Sequence, residues 1–193
     1  KSFLKIKELK SLGKNVTAGT SIHHLLFDET DIKNYRTFFK LRPPLRSNSD
    51  KLFLLQNIKD STLDTISSFH LPQDEESKRL PFERAAFGAI GLQTLLPACL
   101  KLVNDKIIDL PQLFRKISLN PAKILNIKSG ILEEGYFADL VLFDPDKPLI
   151  VDRFNLLSKA KNTPFDGYQL FGEVLKTFVK GKEIYKSRNI NDT

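Results

Sequence analysis

The spacing of apolar and polar residues predicts helices and strands in alternation. Apolar side chains at Leu4, Ile6, Leu9 and Leu12 are separated by lysines and followed by Gly13, as in an amphipathic helix over residues 1–13. Further helices are predicted, in chain order, at residues 28–32, 49–58, 82–104, from 109 onward and at 120–125. Strands are predicted at residues 16–20 and 63–68, with loops at 41–46 and 71–81.

Strands and helices alternate from residue 14 to residue 125, which indicates an α/β architecture with parallel strands. After Ile127 the pattern changes to strands alone. These are predicted at residues 136–143, 173–179 and 183–185, the first ended by Asp144–Pro148 and the last two joined as a hairpin. We therefore divide the chain into an α/β part, residues 1–127, and a β part, residues 128–193.

Charge and apolar content narrow the possible partners. The 193 residues carry a formal charge of +7, from 30 Lys and Arg against 23 Asp and Glu. The lysines are scattered and form no basic block or nucleic-acid-binding motif, so we expect no nucleic-acid partner. The apolar runs fall short of the roughly 18 residues of a membrane span, and no signal peptide is recognisable. We therefore expect no membrane association and a cytoplasmic location.

Two sulfur-containing residue types add further expectations. The single cysteine, Cys99, excludes an internal disulfide and a multi-cysteine zinc site, and its apolar surroundings predict burial. Methionine is absent, including at position 1, so we expect the sequence to be part of a longer protein.

Seven segments, in chain order, resemble motifs of the dihydroorotases, which are cyclic amidohydrolases of pyrimidine synthesis. They are Val16–Leu26, Phe39–Arg46, Thr65–Gln73, Pro81–Thr94, Asn120–Leu125, Glu134–Pro145 and Lys161–Gly167. The last reads Lys-Asn-Thr-Pro-Phe-Asp-Gly, as in the family. The resemblance implies an α/β fold comprising the C-terminal part of a (β/α)₈ TIM-type barrel in residues 1–127 and a small β-sandwich segment in residues 128–193. The family's upstream His-x-His pair, bridging residue and two further His ligands are not in this sequence.

The resemblance also locates a departure from the family pattern. The family reads Ile-Ala-Thr-Asp-His-Ala-Pro-His where this chain has Thr65–Gln73, so Phe69 replaces an aspartate that faces the metal and shuttles the proton. A phenyl ring neither accepts a proton nor holds a metal. Gln73 replaces a histidine of the substrate site, and Arg42 replaces an asparagine of that site. We therefore expect no catalytic residue and no metal in this chain.

The remaining candidates form a degenerate substrate-binding set of Arg42, His70, Gln73 and Gly88. A local misalignment remains open, in which a functional carboxylate lies elsewhere, such as among Asp74, Glu75 and Glu76 of the polar loop.

The other histidines form a doublet. His23 and His24 point to opposite faces if both lie on a strand, which favours a packing role over a shared metal.

Three functions follow from these observations. The first is a catalytically inactive dihydroorotase-like protein that serves as a scaffold for aspartate carbamoyltransferase and self-associates through its open edges. The second is an active dihydroorotase, closing carbamoyl-aspartate to dihydroorotate, whose zinc site lies mostly in an upstream half. The third is an independent binding module.

Overall fold

The computed structural model describes residues 2–187, so the first residue and residues 188–193 of the predicted β part lie outside the described residues. The α-helices are α1 (Ser2–Ser11), α2 (Ile22–Leu26), α3 (Asn48–Lys59), α4 (Glu75–Arg79), α5 (Leu95–Asn104), α6 (Leu110–Phe114) and α7 (Asn120–Ile124). Short 3-10 turns occupy Glu29–Ile32, Thr37–Phe39 and Arg153–Asn155, and a π-helical turn at Arg115–Leu119 joins α6 to α7. The strands are β1 (Gly19–Ser21), β2 (Thr65–Ser67), β3 (Leu140–Ile150), β4 (Gln169–Val179) and β5 (Lys182–Lys186).

The first two strands form a parallel pair, which confirms the α/β class. Gly19 lies opposite Thr65, and Ser21 lies opposite Ser67. A Cβ at Gly19 would approach within 2.3 Å of Thr65 Oγ1, so the absence of a side chain permits the close strand contact. Because the strands are parallel, their carboxyl ends meet at the same edge.

The predicted helix at 82–104 is wrong over its first half, since only Leu95–Asn104 is helical. The backbone before it bonds to neighbouring loops instead of to itself: Gly88 N–H donates to Lys40 O at 2.9 Å, and Ala89 O accepts from Leu71 N–H at 2.8 Å. Gly88 has φ +124°, a conformation that a side chain rarely adopts and that ends any helical path here.

Two other boundaries differ from the sequence prediction. The predicted strand at 136–143 begins later and continues as β3 through both prolines to Ile150, with an irregular register between Asp144 and Pro148. Irregular pairing accommodates residues that have no N–H to donate, so Asp144–Pro148 does not end the strand. The loop at 71–81 contains the one-turn helix α4, which begins because the Asp74 side chain accepts from Ser77 N–H at 2.7 Å.

The β part packs against the α/β part. Strands β3, β4 and β5 form an antiparallel sheet in that order, and the predicted hairpin of β4 and β5 is confirmed. Gly172 of β4 lies against α5, where an added Cβ would meet Leu100 Cδ1 at 2.3 Å. Phe165 and Leu170, which precede and begin β4, belong to the same buried core as Ile22 of α2. Among the described residues, no helix has the length and apolar character needed to cross a membrane.

Candidate functional site

A cavity of about 260 Å³, here called the strand-end cavity, opens where β1 and β2 end. Its lining residues are Ser21, His23, His24, Leu41, Arg42, Phe69, His70, Leu71, Gly88 and Ala89. The structure therefore brings together six of the residues singled out in the sequence, namely His23, His24, Arg42, Phe69, His70 and Gly88. It does not bring Gln73 to this cavity.

The two histidines after β1 lie on helix α2, so the condition that both lie on a strand is not met. Ser21 begins α2, because its Oγ accepts from His23 N–H at 3.1 Å and His24 N–H at 3.4 Å. His24 bonds through both ring nitrogens, Nε2 to Pro43 O and Nδ1 to Ser21 Oγ, each at 2.9 Å. A carbonyl only accepts, so Nε2 carries the hydrogen and Nδ1 accepts from the serine hydroxyl. Burial lowers the pKa of His24, which agrees with this neutral form.

His23 is a fully enclosed polar residue of the strand-end cavity. It is 1% exposed, and neither ring nitrogen has a hydrogen-bond partner among the described residues. Its ring stacks on Phe165 with centroids 5.4 Å apart. Burial is the main cause that lowers the pKa of His23 to about 4, and the nearby His24 lowers it further. The Ile90 backbone acts in the opposite direction, although it forms no hydrogen bond of ordinary geometry with the ring. His23 is therefore a neutral packing residue at pH 7.

Phe69 lies two residues after the carboxyl end of β2 and lines the strand-end cavity. Its backbone has φ +43°, in the left-handed region that phenylalanine seldom adopts, and the residue is half exposed. A position held in this strained conformation is a feature of functional sites in general, because the surrounding structure must maintain it. The phenyl side chain of Phe69 has no acidic group, no basic group and no atom that could bind a metal.

His70 is held by the loop that precedes α5. Its Nδ1 accepts from Gly91 N–H at 3.2 Å and Leu92 N–H at 3.3 Å, and its backbone forms an isolated bridge with Ala89. Because Nδ1 accepts, Nε2 carries the proton of the neutral ring. His70 is thus fixed as part of the cavity wall.

Arg42 is the cationic group of the strand-end cavity. Its guanidinium lies 5.2 Å from the centroid of the Phe87 ring, and Lys40 Nζ lies 4.6 Å from the same centroid. Among the described residues Arg42 has no carboxylate within salt-bridge distance. It is exposed and able to meet an anion at the cavity mouth.

Gln73 does not line the strand-end cavity. Its backbone contacts Asn162, a residue that sequence reasoning missed. Its N–H donates to Asn162 Oδ1 at 3.3 Å. The amide nitrogen of Asn162 donates to Leu71 O at 3.3 Å and Gly88 O at 3.1 Å, and its backbone carbonyl accepts from Ile90 N–H at 3.1 Å. Asn162 is buried and ties together the two loops that form the cavity wall. Its place in the Lys161–Gly167 segment was the signal available in the sequence.

Zinc, which the resemblance implies for active relatives, does not fit the side chains of this cavity. No group of three His, Cys, Asp or Glu residues lies close enough to hold a metal ion within residues 2–187. Both nitrogens of His24 and one of His70 already bond within the protein, and Phe69 offers no ligand. Cys99 is buried away from the cavity, as expected, and burial raises the pKa of its thiol well above the usual range.

The fold and sequence match a known family. Residues 83–184 match the amidohydrolase family. This chain belongs to that family. Amidohydrolases are generally metal-dependent, although the described residues of this member provide no metal site of their own.

Dihydroorotases are similar to this amidohydrolase over nearly its whole length. The dihydroorotase of Wolbachia sp. subsp. Drosophila simulans (strain wRi) is 38% identical over 184 residues, covering 95% of this chain and 42% of the relative. That of Syntrophus aciditrophicus (strain SB) is 41% identical over 181 residues, covering 94% and 42% respectively. The resemblance to dihydroorotases is confirmed, and the chain spans less than half the length of these relatives.

Solved hydantoinases share the fold. L-hydantoinase (dihydropyrimidinase) from Arthrobacter aurescens superposes with a TM-score of 0.90 at 28% identity, covering 95% of this amidohydrolase chain and 42% of that protein. Dihydropyrimidinase from Brevibacillus agri NCHU1002 gives a TM-score of 0.88 at 24% identity, covering 95% and 42%. The second likeness concerns the fold alone.

Proposed function

We propose that this chain is the C-terminal part of a dihydroorotase-like protein that lacks catalysis and serves as a scaffold for aspartate carbamoyltransferase. Residues 1–127 supply the last two strands of a (β/α)₈ barrel, and residues 128–193 supply part of a β-sandwich. The parallel pair β1–β2 and the separate antiparallel sheet β3–β5 support this division. Among barrel enzymes the carboxyl ends of the strands carry the active site, which is where the strand-end cavity lies.

The single observation that carries the loss of catalysis is Phe69 at the carboxyl end of β2. Hydrolysis of a cyclic amide requires a group that accepts and returns a proton, and such a group typically contributes about 10²–10⁴-fold to the rate. The strand-end cavity contains no carboxylate among its lining residues. Its histidines are poor replacements. Burial lowers the pKa of His23 to about 4, which makes it a weak proton acceptor, and His24 bonds to Pro43 and Ser21 through both ring nitrogens. His70 Nδ1 already accepts from two backbone N–H groups.

The scaffold role rests on the contrast between lost chemistry and retained structure. The loops around the cavity are still joined by the buried Asn162, which lies in the most family-like segment. Aspartate carbamoyltransferase is proposed as the partner because of the likeness to dihydroorotases. We further propose self-association, since β1 and β2 pair only with each other within the described residues and have open edges. A cytoplasmic location accompanies this role.

An active dihydroorotase is the second candidate, favoured by the 38–41% identity to the two dihydroorotases named above. It requires that residues outside this chain supply the metal ligands and the proton acceptor. The independent binding module, the third candidate, requires that the 193-residue chain fold and bind its partner alone.

A dihydroorotase assay on the full-length protein with added zinc separates the first two candidates. We expect no turnover above a metal-free control, and we expect Phe69→Asp not to restore activity because Arg42 and Gln73 also depart from the family pattern. Phe69→Leu serves as the matched apolar control. Robust turnover by the wild type would establish the active enzyme, and co-sedimentation with aspartate carbamoyltransferase tests the scaffold role separately.

A further inference from the structure

A second cavity, of about 590 Å³, lies between the turn at Arg36–Phe38, α4 and the loop at residues 153–166. We call it the cationic cavity. Its charged lining residues are Arg36, Lys78, Arg79, Arg153, Lys161, Asp74, Glu75 and Asp166. It shares no lining residue with the strand-end cavity. Its size is that of cavities that hold small molecules.

Two lysines of the cationic cavity are held in place without a carboxylate partner. Lys161 Nζ donates to Leu156 O at 2.7 Å. Lys78, which is 4% exposed, donates to Thr37 O at 2.9 Å and Ala86 O at 2.7 Å. Among the described residues neither ammonium group lies within 4.0 Å of a carboxylate. Burial, and then Lys40, lower the pKa of Lys78 to about 8, as expected for a positive charge that lacks compensation.

Two arginines of the cationic cavity share one carboxylate. Arg36 Nη2 lies 2.9 Å from Asp166 Oδ2, and Arg153 Nε lies 3.8 Å from the same oxygen. The guanidinium of Arg153 is positioned 5.2 Å from the Phe38 centroid and 4.6 Å from the Phe154 centroid. Aromatic contacts orient a guanidinium while leaving its N–H edge free to bind an anion. Asp166 therefore neutralises only part of the charge at this wall.

We propose that the cationic cavity binds a small, multiply charged anion whose phosphate or carboxylate groups contact Arg153, Lys161 and Lys78. Fixed cations with one shared counter-charge favour such a ligand, because charge-assisted hydrogen bonds are the strongest that the site can form. Asp74 and Glu75 also line the cavity. Asp74 accepts from Ser77 N–H at 2.7 Å and Glu75 is paired with Arg79 at 2.7 Å, so neither is paired with Arg153, Lys161 or Lys78. The site is independent of the proposed scaffold function.

Isothermal titration of the 193-residue chain with inorganic pyrophosphate, and separately with citrate, tests this site. We expect saturable 1:1 binding of at least one probe, and pyrophosphate against citrate distinguishes phosphate from carboxylate ligands. Lys161→Gln and Arg153→Gln each remove a charge-assisted hydrogen bond and are expected to weaken binding about tenfold. Lys161→Arg keeps the charge and is expected to retain most of the affinity.

Matched controls separate a site from general attraction to a basic protein. Lys159→Gln removes an exposed charge two residues from Lys161, and Lys182→Gln removes an exposed charge of β5. Both are expected to leave the affinity unchanged, and circular dichroism verifies that each variant is folded. Absence of saturable binding of both probes, or an equal loss of affinity in Lys159→Gln, would overturn the proposal.

Discussion

Two lining residues of the strand-end cavity, Phe69 and His23, carry no charge at pH 7. Phe69 lies two residues after β2, with its backbone in the left-handed region. His23, the only enclosed histidine, is kept neutral because burial opposes its charged form. Arg42 is then the one charged residue that lines the cavity. No carboxylate lines the cavity beside Arg42.

The first prediction concerns the pH dependence of stability that His23 imposes. Its pKa is about 4 in the folded protein against 6.5 for an unperturbed histidine, so the unfolded chain binds more protons between these pH values. Stability is therefore expected to fall as the pH is lowered from about 6.5 toward 4, by about 2 kcal/mol between pH 7 and pH 5. His23→Phe, which keeps a ring against Phe165, is expected to remove most of this loss in urea unfolding. His70→Gln is the control and should keep it; an unchanged pH profile in His23→Phe would contradict the assignment.

A second residue-scale prediction concerns Gly91, where space is lacking. A Cβ at this position would lie 2.6 Å from Ser68 O and 2.9 Å from His23 Cε1. Gly91→Ala is expected to lower the free energy of unfolding by about 1–3 kcal/mol, because backbone and a buried ring must both shift. Gly135→Ala is the comparison: φ is +84° there, but only Lys128 Nζ lies within 4.0 Å. The steric account requires Gly91→Ala to be the more destabilising of the two in chemical denaturation.

At the scale of elements, local sequence predicted most helices and strands but not the loops that build the cavity. Pro111, which suits the first turn of a helix starting at Asp109, predicted α6, and the turn at Lys180–Lys182 predicted the hairpin. The segment 82–94 looked helical because its apolar content is high. Its true conformation depends on Gly88 and on bonds to Lys40 and Leu71, which are distant in sequence. Resemblance located Arg42, Phe69 and His70, whereas the separation of Gln73 from them required the fold.

Asn162 provides a prediction at this scale, because its side chain joins two loops. Asn162→Ala leaves the carbonyls of Leu71 and Gly88 without their side-chain donor in a buried site. We expect a loss of about 1–3 kcal/mol in the free energy of unfolding. Amide hydrogen exchange should also accelerate at Gln73, whose N–H loses its acceptor. Asn155→Ala, an exposed control, is expected to change stability by less than about 0.5 kcal/mol; equal effects would refute the role of Asn162.

At the scale of the whole molecule, apolar side chains remain exposed on the antiparallel sheet. Val141 of β3 and Tyr185 of β5 both lie opposite Thr177 of β4, so the two side chains share one face. They are 51% and 41% exposed. Adjacent exposed apolar groups of this kind mark surfaces that associate with another protein or with another copy of the same chain. The chain spans 42% of the length of the dihydroorotases named above. Association through this face is therefore tested with the 193-residue chain itself.

The open edges of β1 and β2 and this sheet face are two alternative surfaces for self-association, and the last prediction is that the 193-residue chain uses the sheet face. Sedimentation velocity should show a sedimentation coefficient that rises with protein concentration, because burying Val141 and Tyr185 removes apolar surface from water. Val141→Lys combined with Tyr185→Lys is expected to shift the distribution to monomer, since like charges then oppose each other across the interface. Leu12→Lys is the matched control, because Leu12 is 63% exposed but directly follows α1, outside the sheet. A wild-type chain that stays monomeric at every concentration would refute self-association. Equal dissociation by Leu12→Lys would show that the interface is elsewhere.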